Sequence, residues 1–170
     1  MYYQTTYDSP IGKLLIVCNE NEQLSGLWIE GQKYFKSTII SDVILKEELK
    51  AFQKTKLWLD KYFQGKCPKI SELSLSPKGS AFRQRIWEIL CDIPYGKVMT
   101  YGEIAQIISA EQGKKMSAQA VGGAVGHNPI SIIIPCHRVI GSNGNLTGYA
   151  GGIDIKIKLL KLEGVIITDL

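Results

Sequence analysis

The stretch "SIIIPCHRV", Ser131 to Val139, limits what this chain can fold into more than any other. Three consecutive isoleucines leave no polar face, so the segment has to be buried, and it reads as a short strand covered on both sides. Pro135 lacks the amide hydrogen that a ladder needs, so the run ends there. Cys136, His137 and Arg138 are thereby delivered to the end of a buried element, a place where reactive groups are commonly displayed. A thiol, an imidazole and a guanidinium in succession do nothing for a core.

The rest of the 170 residues falls into two parts. In the first, "KLLIVC" and "LSGLWIE" flank the polar "NENEQ", a hairpin pattern. A helix is expected from about Leu45, with Leu49, Phe52, Leu59, Tyr62 and Phe63 near one face and Gly65 placed to end it. From Cys67 to Gly79, "CPKISELSLSPKG" is turn-rich without a helical period and reads as a linker. The second part is helical. Phe82, Ile86, Ile89, Leu90 and Ile93 keep helical spacing after Ser80, and "PYG" stops them. Thr100 and Glu103 form a capping box; a loop, "SAEQGKKM", then leads to Ser117, the cap of a helix from Ala118 to about Gly126. Two short helices joined by a turn make a helix-turn-helix candidate. The chain thus divides into an α/β domain over residues 1–75 and a mainly α domain over residues 76–170.

Net charge is +4. Residues 1–75 hold ten Lys/Arg and nine Asp/Glu, for +1, whereas residues 76–170 hold ten and seven, for +3. The excess in the second part hints at an anionic partner. No apolar run is long enough to cross a membrane, and "MYYQTTYDSPIG" has no signal-peptide pattern, so a cytoplasmic protein is expected. There Cys18, Cys67, Cys91 and Cys136 should be free thiols, Cys18 and Cys91 serving the core. No CxxC pair and only two histidines, His127 and His137, speak against a zinc site, and no metal is expected.

The second helix of the pair, "SAQAVGGAVG", carries Gly122 and Gly123 inside it, each costing about 1 kcal/mol relative to alanine. Its one long polar side chain is Gln119. A major-groove reader needs several Arg, Asn or Gln side chains, which this helix lacks. Two readings stand: a helix packed tightly on a neighbour, or a smooth cylinder for the minor groove, which is about 6 Å wide. DNA contact of the second kind is led by the backbone, with weak sequence preference. As for Cys136, a thiol of pKa about 8.5 is mostly protonated at neutral pH, and His137 can act as its base. In extended chain the two point apart, so His137 reaches the sulfur only if the chain turns or through a water. A third group has to orient the imidazole; Asp154, Glu163 and Asp169 are available, and Glu163 stands before Gly164 at a helix end.

"NPISIIIPCHRVIGSNGNLTGYAGG", with "PYGKVMTYGEIA" before it and "LLKLEG" after, resembles the O6-alkylguanine-DNA alkyltransferase family from about Gly79 to Gly164; "DSPIGKLLI" fits more loosely. The resemblance implies a ribonuclease-H-like first domain and a winged-helix-like second one. It implies that Cys136 accepts the alkyl group, that His137 takes the thiol proton through a water, and that Glu163 orients His137. It makes Asn128 the hinge asparagine bracing the active-site turn. Tyr101 becomes the residue that crowds the target phosphate and donates to the departing guanine. Val139 and Tyr149, Ala150 and Gly151 would line the base pocket, and Arg138 would be structural. Tyr101, Ala118, Gln119, Gly122 and Gly123 would meet the DNA, and "GIDIKIKLLKLEG" would be helical although its alternation also suits a strand.

The implied partner is double-stranded DNA carrying O6-alkylguanine, with O4-alkylthymine as a second substrate. The protein would act as a monomer, without cofactor, flipping the base out and transferring its alkyl group once and irreversibly. Two departures stand out: Gln119 occupies the position of the family's arginine, which fills the gap left by the flipped base, and the loop before Ser117 is longer than in the human-type members, its Lys114 and Lys115 being candidates for phosphate contacts. The rival readings are an alkyltransferase-like protein that flags lesions without transfer, against which Cys136 argues, and a Cys-His hydrolase, which would need no groove-shaped helix. A sequence-specific regulator is disfavoured by the bare helix.

Overall fold

The computed structural model describes residues 1–146 and 148–167, which form two compact units. The first comprises Met1–Gly79 with Pro129–Ile133; the second comprises Ser80–Asn128 and residues 134 onward. The return of Pro129–Ile133 to the first unit is invisible to a linear division of the chain.

The first unit is built on a four-stranded sheet of order β3 (Leu24–Ile29), β2 (Gly12–Asn19), β1 (Tyr2–Ser9), β4 (Val43–Leu45). Strands β2 (Gly12–Asn19) and β3 (Leu24–Ile29) are the expected hairpin. The Asn19 side-chain oxygen caps its turn by accepting from the amides of Asn21 and Gln23, both at 3.0 Å. Two further strands escape the pattern reading. In β1 (Tyr2–Ser9), which pairs antiparallel with β2, only Thr5 is fully buried, so no alternation shows. The three-residue β4 (Val43–Leu45), parallel to β1, is too short to signal. Because β4 takes Leu45, helix α1 (Lys50–Phe63) starts later than expected; Gly65, at φ +79°, follows its end. Phe52, Leu59 and Tyr62 bury α1 against β1 and β2. The outer edge of β3 is closed by two short pieces: Leu24 bridges to Leu75, within the expected linker, and Leu27 to Ile130.

The isoleucine run is not a strand. The Ile133 amide donates to the Ser131 carbonyl and the Cys136 amide to the Ile134 carbonyl, each at 2.8 Å, so two γ-turns crumple the chain. The first is centred on Ile132 at φ +72°, a strained conformation for a β-branched residue. Every residue of the run is buried all the same. Apolar content foretold the burial and not the backbone, because a short apolar run reads alike whatever its local conformation.

In the second unit, α2 (Ala81–Cys91) starts at the Ser80 cap. Strand β5 (Met99–Thr100) runs straight into α3 (Tyr101–Gln112), whose capping box is formed by Thr100 and Glu103. This helix runs through Ser109–Gln112, expected as loop, until Gly113 stops it at φ +67°. Helix α4 (Ala118–Gly126) begins at the Ser117 cap. It packs on α2 and α3 through Val121, Ala124 and Val125, and the Trp87 indole donates to the Ala124 carbonyl at 3.0 Å. Strand β6 (Val139–Ile140) pairs with β5, and α5 (Ile153–Leu162) closes the unit, a helix despite its alternation. Among the described residues, no helix is long and apolar enough to cross a membrane.

Candidate active site

Immediately after the second γ-turn, Cys136–Arg138 form a 3-10 turn, closed by the Arg138 amide on the Pro135 carbonyl at 3.0 Å. The chain therefore does turn at the thiol, and the opposed directions of an extended chain do not apply. Cys136 is 5% exposed. Burial pushes its thiol up, against the Asn128 side chain, the Lys156 charge and the amides of residues 136 and 137, which favour the thiolate. Asn128 also donates to the Ile134 carbonyl at 2.8 Å and so fixes the turn that presents the sulfur. At neutral pH the group is a thiol. It needs a base.

His137 is fully buried, and its Nε2 lies 2.5 Å from Glu163 Oε2. Glu163 caps the C-terminal end of α5. Its carboxylate also accepts from Arg138 Nε at 2.8 Å, Arg138 Nη2 at 3.2 Å and the Gly96 amide at 3.1 Å. The "PYG" turn that stops α2 thus has a second task. Gly96 sits at φ +78°, where a Cβ would come within 3.0 Å of the Glu163 carbonyl, and the Tyr95 hydroxyl donates to the Leu162 carbonyl at 3.2 Å. Burial alone would raise the Glu163 carboxyl; the hydrogen bonds and charges of His137 and Arg138 outweigh it and hold it down at about 2. Burial lowers His137, the Glu163 carboxylate opposing, so the imidazole is neutral at pH 7. With Nε2–H donated to a carboxylate, Nδ1 is the nitrogen that can take a proton. Of the other acids, Asp154 is exposed in the first turn of α5, and Asp169 lies outside the described residues.

The parallel pairing of β5 with β6 sets Tyr101, the first residue of α3, beside the strand that follows Cys136. Burial first, then the charge of Cys136, pushes the Tyr101 hydroxyl up to about 12, so it stays a donor. The Tyr149 hydroxyl is buried, also faces Cys136, and is pushed well above its ordinary value, again by burial first. Tyr149 opens the turn through Ala150 and Gly151 into α5, closed by the Gly152 amide on the Tyr149 carbonyl at 3.0 Å. Val139 is buried, and its carbonyl accepts from Lys156 Nζ at 2.5 Å.

Lys156 is the residue that sequence reasoning missed. It is fully buried, its Nζ lies 6.0 Å from the Tyr101 ring centre, and its charge acts on the Cys136 thiolate. Burial lowers its ammonium to about 8, against the pull of Cys136. The signal was present: on a helix Lys156 shares a face with Leu159, Leu160 and Glu163, and a lysine in an apolar stripe needs a partner.

On α4, Ala118, Gln119, Ala120 and Gly123 are exposed, a face without a charge. A Cβ on Gly122 would only touch the Tyr101 ring, at 3.8 Å, and one on Gly123 would meet nothing within 4 Å. Packing within the protein therefore requires glycine at neither position, although the opposite face of the helix packs on α2 and α3.

Residues 81–165 match the DNA binding domain of 6-O-methylguanine DNA methyltransferase, and residues 1–77 match its ribonuclease-like domain. A methylated-DNA–protein-cysteine methyltransferase of Methanosarcina barkeri is 47% identical over 163 residues, 96% of this chain and 97% of that protein. One from Haemophilus influenzae is 42% identical over 167 residues, 98% and 89% of the two chains. The crystal structure of Mycobacterium tuberculosis OGT in complex with DNA superposes with a TM-score of 0.80 at 40% identity, covering 95% of this chain and 91% of that one. Site geometry, matched domains and near full-length identity agree: the chain belongs to the 6-O-methylguanine DNA methyltransferase family.

Proposed function

We propose that this chain repairs double-stranded DNA by taking the alkyl group of O6-alkylguanine, and of O4-alkylthymine by the same chemistry, onto Cys136. The observation that carries the reading is a buried thiol next in the chain to a buried, neutral histidine whose far nitrogen is held by Glu163. His137 Nδ1 takes the thiol proton through a water. The thiolate attacks the alkyl carbon, the carbon–O6 bond breaks, and the electron pair leaves with the base. Tyr101, still a phenol, donates to the departing guanine; Val139 and Tyr149 to Gly151 line its pocket. The thioether is a very poor leaving group, so each molecule acts once. The alkyl group comes from the DNA itself, and the scheme calls for no cofactor.

A base inside a duplex has to be flipped out to meet a buried sulfur. Helix α4 serves this step, its uncharged face of Ala118, Gln119, Ala120 and Gly123 entering the minor groove. We read the second unit as winged-helix-like, with α3 and α4 as the helix-turn-helix and β5 and β6 leading into the wing. We read the first as ribonuclease-H-like, on its mixed sheet backed by α1. The protein works as a monomer, since every group used comes from one chain, and in the cytoplasm, where its four free cysteines stay reduced. The test is Cys136→Ser. It should lose all transfer while still binding lesion duplex, whereas variants of Cys18, Cys67 or Cys91 should still transfer. Alkyl appearing on one of those three would refute the assignment.

A further inference from the structure

We propose that Arg138, beyond bracing the fold, keeps His137 a neutral base by neutralising the charge of Glu163. The inference rests on His137 being the base, as above. Its footing is the way Glu163 is bound. The carboxylate is not a lone anion behind the imidazole: it is forked by the guanidinium, Nε on Oε1 at 2.8 Å and Nη2 on Oε2 at 3.2 Å. The third arm of Arg138, Nη1, donates to the Ile93 carbonyl at 2.7 Å, and the guanidinium stacks 5.7 Å from the Tyr95 ring centre. The cation is therefore fixed on the carboxylate rather than shared with solvent, and both side chains are buried.

A lone carboxylate in so dry a place would draw a proton onto His137 and hold it there as imidazolium. A protonated imidazole cannot take the proton of Cys136. Paired with Arg138, Glu163 keeps the geometry of an orienting acceptor while its field at the imidazole is largely cancelled. The charged groups that act on His137 are Glu163 and Lys156 from the α5 segment and Arg138 from its own turn. Burial, Arg138 and Lys156 all act to keep it neutral; Glu163 alone acts the other way.

The experiment is a histidine-labelled NMR titration of parent, Arg138→Met, Arg138→Lys, Glu163→Gln and the double variant, beside the pH dependence of the transfer rate. The protein has only His127 and His137, so His127 is an internal control. In Arg138→Met the His137 midpoint should rise by about one pH unit or more, and the acid limb of the rate should rise with it. Arg138→Lys, which keeps the charge and loses the fork, should keep the parent midpoint and react more slowly at every pH. If Arg138→Met does not fold, the other arm of the cycle decides: His137 should titrate higher in the double variant than in Glu163→Gln, because an unopposed cation has been removed. An unchanged His137 midpoint across the available arm overturns the proposal and assigns Arg138 to structure alone. The titration needs no substrate, so a failed transfer reading and a failed charge reading are told apart.

Discussion

Cys136, the proposed nucleophile, lies where burial keeps it a thiol, while Asn128, Lys156 and nearby amides favour the thiolate. Replacing His137 by Ala should slow transfer near neutral pH. The rate should then climb as pH rises, since solvent has to remove a proton that burial holds on the sulfur; a rate equal to the parent's at pH 7 would take His137 out of the mechanism. Lys156→Met removes a charge that favours the thiolate and should push the same dependence to higher pH, read from transfer rates across a pH series. Glu163 titrates far below its ordinary value when folded, so its stabilising contribution is complete above about pH 4.5 and lost as pH falls towards about 2. Thermal melts over that window should show the loss in the parent and much less of it in Glu163→Gln, which starts from a lower stability because Arg138 is left buried without its anion. Cys136 and His137 stood out in the sequence by residue type at the end of an apolar run, whereas Glu163 was chosen among the later acids only by family resemblance; the structure places Glu163 on His137. Lys156 was passed over because alternation in "IDIKIKLL" hides a helical face, and the length of the segment does not decide between helix and strand.

Elements whose ends are marked by side-chain chemistry were legible; those defined by pairing with distant chain were not. Ser80, Thr100 and Ser117 each accept from the amide three residues on, as local capping rules require. Thr100→Ala should therefore cost about 1 kcal/mol in denaturant unfolding, and it should impair transfer too, because the cap precedes Tyr101 directly. By contrast β4 and the Leu75 and Ile130 bridges exist through pairing with distant chain, and the γ-turn at Ile132 holds a strained positive φ, so no local pattern announces them. In the proposed mechanism helix α4 is the element that enters the groove. A flipped base leaves a hole whose unstacking costs a few kcal/mol, part of which an inserted side chain offsets. Under that proposal Gln119, exposed on α4, would offer a short neutral amide. Gln119→Arg should tighten duplex binding and steepen its salt dependence by up to about one counterion. It should speed repair in duplex DNA while leaving the reaction with free O6-methylguanine, which needs no flipping, nearly unchanged. If Gln119→Ala matches the parent on duplex DNA, the gap is held elsewhere, the Lys114–Lys115 loop being the nearest alternative.

For the molecule as a whole, the proposed chemistry consumes the protein in its own reaction. The second unit holds every residue assigned to chemistry, from Tyr101 and Asn128 through Cys136, His137 and Tyr149 to Glu163. The division into two parts was readable because the pattern changes from hairpin to capped helices, whereas the loan of Pro129–Ile133 to the first sheet was not. A hydrolase built from Cys and His would regenerate its thiol with water; an alkyl thioether offers no such route. The direct measurement is to incubate the protein with an excess of duplex carrying O6-methylguanine and no added cofactor. Methyl transferred is counted over time and located by peptide mass spectrometry. The account predicts a plateau at one methyl per chain, all of it on the peptide carrying Cys136, however long the incubation. Continued turnover past that plateau, or methyl on any other residue, would contradict it.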